Sequence, residues 1–120
     1  MKYRIMEYLI LKNELEIAKI PIDAILSLEV NDYLLTCRTV WSRDFCCSKA
    51  LSEIEGRLPS HFLRINRNTI VNLNKVQLVH FKERTIRMND QLIYQMSHRK
   101  VKVIRKAINE YESNRLNFSE

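Results

Sequence analysis

One glycine, Gly56, has to serve a 120-residue chain whose apolar residues fall in short, strand-length runs. Strand-rich folds reverse direction often, and the positive-φ positions of tight reversals ordinarily go to glycine. With glycine nearly absent, the turns fall to Asn and Asp, which tolerate the left-handed region better than other side chains. The same scarcity rules out a glycine-rich phosphate loop, which needs several glycines within a few residues.

Read in order, "YRIMEYLIL" and "LEIAKI" have the alternation of short strands. "AILSLEV" and "LLTCRTVW" follow, with Asn31 and Asp32 of "NDY" as turn formers between them. "SKALSEIEGRLP" predicts a helix, with Leu51, Ile54 and Leu58 on one face, Ser48 as N-cap, and Gly56 and Pro59 as its stop. Strands resume with "FLRIN", "TIVN", "VQLVHFK", "TIRM" and "LIYQM", the last two joined by a turn at Asn89 and Asp90. In "FLRIN", Leu63 and Ile65 alternate with Arg64 and Asn66, which places the polar pair away from the core. A second helix is predicted from about 98 to 112, with Ser97 as N-cap and Val101, Ile104, Ile108 and Tyr111 as its buried stripe. Residues 113–120 read as a flexible tail. The expectation is a single domain over 1–120 with its core at about 10–108, mostly β, with two short helices.

A hydrophobic content of 46% and a charged content of 28% suit a folded domain. Three cysteines, Cys37, Cys46 and Cys47, make a poor disulfide framework and point to a reducing compartment. The N-terminal stretch holds a four-residue apolar run, short of a signal-peptide core, and no segment approaches a membrane span. A cytoplasmic protein without membrane insertion is expected. His61, His80, His98 and the cysteines lack metal-ligand spacing, and Asp23, Glu29, Asp32 and Asp44 are scattered. No catalytic residue, metal or cofactor is expected, and an enzyme is the least favoured reading.

The charge is unevenly spread. Residues 1–60 hold eight Lys/Arg against nine Asp/Glu, whereas residues 61–106 hold eleven against two. A regional excess of +9 fits the electrostatic footprint of a polyanion partner, and equally, on charge alone, a solvated basic face with no partner. That segment opens with "HFLRINRNTIVN", which carries two arginines, three asparagines and no acid. Arg and Asn are the side chains that pair bidentately with guanine and adenine edges. Asn72 and Asn74 sit where asparagine satisfies backbone groups in turns, but Asn66, Arg67 and Asn68 cluster at a strand-to-loop transition. The second cluster, "SHRKVK", puts Arg99 and Lys100 at a helix N-terminus. Cations there oppose the helix dipole, and an anionic partner reverses that cost.

These segments resemble the LytTR DNA-binding domain of bacterial transcription regulators. The family's Arg–x–His–Arg–Ser motif, followed by two hydrophobic or near-hydrophobic residues and then Val–Asn, is matched by Arg64, Ile65, Asn66, Arg67, Asn68, Thr69, Ile70, Val71 and Asn72. Its later Ser–x–Arg is matched by Ser97, His98 and Arg99, and "IPIDAILSLEVNDYLL" is similar to its early strands. The resemblance covers roughly residues 10–108. It implies an elongated arrangement of small antiparallel β-sheets whose loops enter successive major grooves of double-stranded DNA. It further implies Arg67 and Arg99 as base readers, with Asn31, Asp32 and Tyr33 as a third contact region. Asn66, Asn68, Lys100 and Lys102 become backbone or auxiliary contacts. Two positions depart from the pattern: Asn66 stands in place of His, and Asn68 in place of Ser.

The resemblance also implies two copies on repeated half-sites. No receiver segment precedes the motifs, so the expectation is a stand-alone regulator controlled by abundance or by a protein partner, such as a membrane-bound inhibitor. The runner-up is a protein-interaction module that keeps this fold without specific base reading and titrates another regulator. Single-stranded RNA binding ranks third, because Phe62, Phe81 and Tyr94 are few as stacking platforms.

Overall fold

Short alternating runs, closed by asparagine-rich turns, build the computed structural model, which describes residues 7–41 and 43–116. β1 (Tyr8–Lys12) and β2 (Ile17–Pro21) form an antiparallel hairpin. Asn13 closes it, its Oδ1 accepting from the N–H groups of Leu15 and Glu16 at 2.9 and 2.8 Å. Asparagine thus supplies the turn that glycine would otherwise make. After a 3₁₀ turn at Ile22–Ala24 come β3 (Ile25–Asn31), β4 (Leu34–Thr39) and β5 (Phe45–Ser48), then α1 (Leu51–Glu55). β6 (Phe62–Asn66) and β7 (Thr69–Asn72) form the next hairpin. β8 (Val76–His80), β9 (Thr85–Met88) and β10 (Ile93–Gln95) follow, and a 3₁₀ turn at His98–Lys100 leads into α2 (Val101–Leu116).

Three antiparallel sheets result: β1–β2, β8–β9–β10, and a central sheet ordered β5–β4–β3–β7–β6. The fold is mostly β with two helices, as expected. β7 shows why the central sheet is covered on both sides. Its four residues are all buried, and consecutive Ile70 and Val71 enter different clusters. Ile70 packs with Leu9 and Leu11 of β1, Ile20 of β2, Leu28, Leu35 and Ile54 of α1. Val71 packs with Ile65, Ile86, Met88, Tyr94, Met96 and the α2 residues Ile104 and Ile108. Each such side chain contributes about 1.5–3 kcal/mol by leaving water. A polar bridge joins the central sheet to β10: buried Ser27 Oγ lies 2.7 Å from Tyr94 Oη.

Several expectations need correction in detail. Ser48 ends β5 and does not cap α1; the N-cap is Ala50. Alanine has no acceptor to offer, so the start is secured by Glu53 Oε1, which accepts from the Ala50 N–H at 2.9 Å. Gly56 ends the helix at φ −70°, without using glycine's left-handed freedom. Ser97 precedes the 3₁₀ turn, not α2 itself, and its backbone carbonyl accepts from Lys100 N–H at 3.1 Å. α2 continues through residues 113–116 of the expected tail; residues 117–120 lie outside the described residues, as do residues 3–6 of the first expected strand. No helix among the described residues is long and apolar enough to cross a membrane.

Candidate nucleic-acid interface

The two-residue connection between β3 and β4 is Asp32–Tyr33, with Asn31 paired to Leu34 across it. Both central residues have positive φ, 49° and 68°, as a two-residue hairpin turn of the right twist requires. Asp tolerates this region. Tyr does so at a cost of about 1–2 kcal/mol, and yet Tyr33 stands 88% exposed. The positive φ therefore falls one residue later than the "ND" of the sequence suggests. It leaves an aromatic at the tip of the hairpin.

β3 runs antiparallel to β7, so this tip and the β6–β7 loop share one end of the central sheet. Val30 N–H donates to Asn68 O at 2.9 Å and ties the two together. The loop itself is held by side chains at its base. A β-bulge between Arg64 and Asn66 breaks the alternation expected for "FLRIN", and the two polar residues turn to different neighbours. Arg64 pairs with Glu55 of α1 at 2.9 Å through Nη1 and donates to Arg67 O at 2.6 Å through Nη2. Asn66 donates from Nδ2 to Gln95 O at 2.7 Å and accepts from Asn68 N–H at 2.8 Å. With its backbone fixed in this way, Arg67 extends an exposed guanidinium that has no partner among the described residues. A shallow groove of about 480 Å³ lies alongside, lined by Arg64, Arg67, Asn68 and the start of α1.

The Arg99 turn is anchored to the same strand. Ser97 N–H donates to Ile65 O at 2.8 Å, and Gln95 O is the acceptor for Asn66. Arg99, Lys100 and Lys102 are all exposed. Arg99 and Lys102 line a groove of about 580 Å³ with Phe81, Lys82, Arg84, His98 and Val101. Lys82 and Arg84 come from the β8–β9 turn, where Arg84 sits at φ 57° and Met96 N–H donates to its carbonyl at 2.7 Å. On the other side of the turn, the Arg105 guanidinium covers the Phe81 ring at 4.2 Å. Sequence reading did not nominate Lys82 or Arg84. The signal was there, as a Lys–Glu–Arg run in a turn of the basic segment, but nothing in the sequence said that the turn would meet Arg99.

The structure thus places all the nominated residues on three neighbouring turns. Asn31, Asp32 and Tyr33 occupy one, Asn66, Arg67 and Asn68 the second, and Arg99, Lys100 and Lys102 the third with the start of α2. Asn72, by contrast, is fully buried. It donates to Ile25 O at 2.8 Å and accepts from Asn74 N–H at 2.9 Å, the turn-forming role expected of it. Cys37 and Cys47 are core residues; burial pushes the Cys37 thiol up to about 12.

Among solved structures, the chain is similar to one described as the LytTr DNA-binding domain of a proposed methyl-accepting/DNA response regulator from Bacillus cereus. The TM-score is 0.75 at 22% identity, covering 85% of this chain and 96% of the other, a likeness of fold. No curated protein matches. Residues 16–109 match the family model of the LytTr DNA-binding domain, a span that holds every strand from β2 to β10 and all three turns. The chain belongs to the LytTr DNA-binding domain family.

Proposed function

We propose that this domain is a sequence-specific, double-stranded DNA-binding transcriptional regulator that reads major-groove base edges from loops. The observation that carries the reading is the convergence of three exposed turns around one end of the central sheet and β6, each bearing exposed Arg, Asn or Tyr side chains. Arg67 and Arg99 are the readers of guanine, whose major-groove edge offers the N7 and O6 acceptors to a guanidinium. Asn31, Asp32 and Tyr33 form a third contact at the hairpin tip. Asn68, Lys100 and Lys102, joined by Lys82 and Arg84, supply contacts to phosphate. Their affinity is salt-dependent, because each neutralised phosphate releases counterions. The family is a DNA-binding one and not a family of enzymes.

The test is selection from a random duplex pool at about 150 mM salt, where non-specific binding is already weak. Enrichment of a short motif, repeated if two copies bind together, supports the reading. Loose binding without enrichment overturns it.

A second reading has its own observation. The outer face of the β1–β2 hairpin exposes Tyr8, Ile10, Leu15 and Ile17, and Trp41 is exposed as well. That much exposed apolar side chain suits a protein contact, and it favours the interaction module if no DNA motif is found.

A further inference from the structure

Arg67 and Arg99 belong to different sheets' connections, yet both are anchored to one short stretch of β6. Ile65 O holds the Ser97 N–H, two residues before Arg99, at 2.8 Å. The next residue, Asn66, uses both ends of its amide at once: Nδ2 donates to Gln95 O at 2.7 Å, and Oδ1 accepts from Asn68 N–H at 2.8 Å. One side chain therefore shapes the Arg67 loop and fastens it to the strand that leads to Arg99. Arg64 does the matching work from the other side. Its planar fork spans Glu55 Oε1 at 2.9 Å and Arg67 O at 2.6 Å, locking the arginine's own peptide to α1. Both residues are half-buried and spend hydrogen-bonding groups inside the fold. Asn66 uses one of its two N–H donors and one lone pair of its oxygen within the fold, and Arg64 is only about a quarter exposed.

We propose that Asn66 and Arg64 are positioning residues that fix the spacing between the Arg67 loop and the Arg99 turn, so that the domain recognises two base clusters at a single separation. This rests on the base-reading function proposed above. A guanidinium must meet N7 and O6 together to form a bidentate pair, and a shift of about 1 Å in either loop forfeits that geometry. Loss of one side-chain hydrogen bond is a small perturbation, so the expected loss in affinity is about threefold to tenfold. The change in spacing tolerance is the sharper signature.

The experiment repeats the duplex selection with wild type, Asn66→Ala, Asn66→His and Arg64→Lys, and follows each protein's thermal transition and its binding to unrelated duplex. Arg64→Lys keeps the charge but replaces the planar two-nitrogen fork with a single nitrogen, which removes the fixed two-pronged geometry. A neutral histidine offers one ring nitrogen as acceptor and the other as donor, so it can restore both bonds of Asn66. Wild type should select two base clusters at one separation. Asn66→Ala and Arg64→Lys should select the same clusters at several separations, with non-specific binding unchanged and Asn66→His recovering the single spacing. Unchanged spacing in the variants overturns the positioning role while leaving base reading intact. A fall in melting temperature with equal loss on all duplexes also overturns it, by making both residues merely structural. Absence of any motif for wild type overturns base reading, and the positioning role falls with it.

Discussion

Arg64 donates to the carbonyl oxygen of Arg67 at 2.6 Å, so one arginine of the loop is used to orient the other. The division of labour follows from surroundings. Arg64 lies under the loop against Glu55, whereas Arg67 projects from it into solvent. Two residues that look equivalent in "LRINRN" therefore have different tasks, and substitution separates them.

Arg67→Ala and Arg99→Ala should each relax base preference by about 1–3 kcal/mol at one position of the motif and leave the thermal transition in place. Competition between the selected duplex and its single-base variants measures this. Equal loss on every duplex would assign both arginines to phosphate.

Lys82, Arg84, Lys100 and Lys102 should behave differently. Replacing any one with Gln weakens binding to all duplexes alike and reduces the slope of log K against log salt by about 0.9 for each phosphate that is no longer neutralised. A titration from low to moderate salt reads the slope directly. Arg84 is the informative member, since only the fold brings it to the Arg99 groove.

Tyr94→Phe should destabilise the domain by about 1–2 kcal/mol, because Ser27 Oγ is left buried without its partner. The double substitution Ser27→Ala/Tyr94→Phe should cost less than the sum of the two single ones, the mark of a direct interaction. Urea unfolding with an unchanged m-value checks both. Additive effects would mean that the two hydroxyls do not act on each other.

His61 links stability to pH. Burial pushes its imidazole below the usual 6.5, against the pull of Asp23 and Glu7, and its Nε2 has no hydrogen-bond partner among the described residues. The folded pKa lies below the unfolded one, so the unfolded chain takes up the proton first as pH falls. Stability from this group is present above the unfolded value of about 6.5 and is lost as pH drops through the folded value. Melting temperature should therefore decline as pH falls below about 6.5, and His61→Phe should flatten that decline. Parallel profiles for the two proteins would contradict it.

Much of the fold was legible in the sequence because local signals agreed. Leu9 and Leu11 alternate with exposed Tyr8 and Ile10, and Asp32 and Asn72 mark turns by known chemistry. The α2 stripe of Ile104 and Ile108 is buried as its period predicts. What escaped depends on tertiary contact. "FCCS" pairs as β5 because β4 lies beside it, and four residues are too few to carry a period of their own. The bulge that sends Arg64 and Asn66 to different neighbours is set by the register of β6 on β7. The meeting of Arg84 with Arg99 spans two sheet connections, and no spacing in the sequence encodes it.

The most direct measurement replaces single guanines of the selected motif with 7-deazaguanine, which keeps base pairing and the minor groove but deletes the N7 acceptor in the major groove. Loop-borne arginine reading predicts weaker binding at the guanines under Arg67 and Arg99, with no further loss from the same replacement in Arg67→Ala at its own guanine. Undiminished binding of wild type to every 7-deaza duplex would contradict major-groove reading by these arginines.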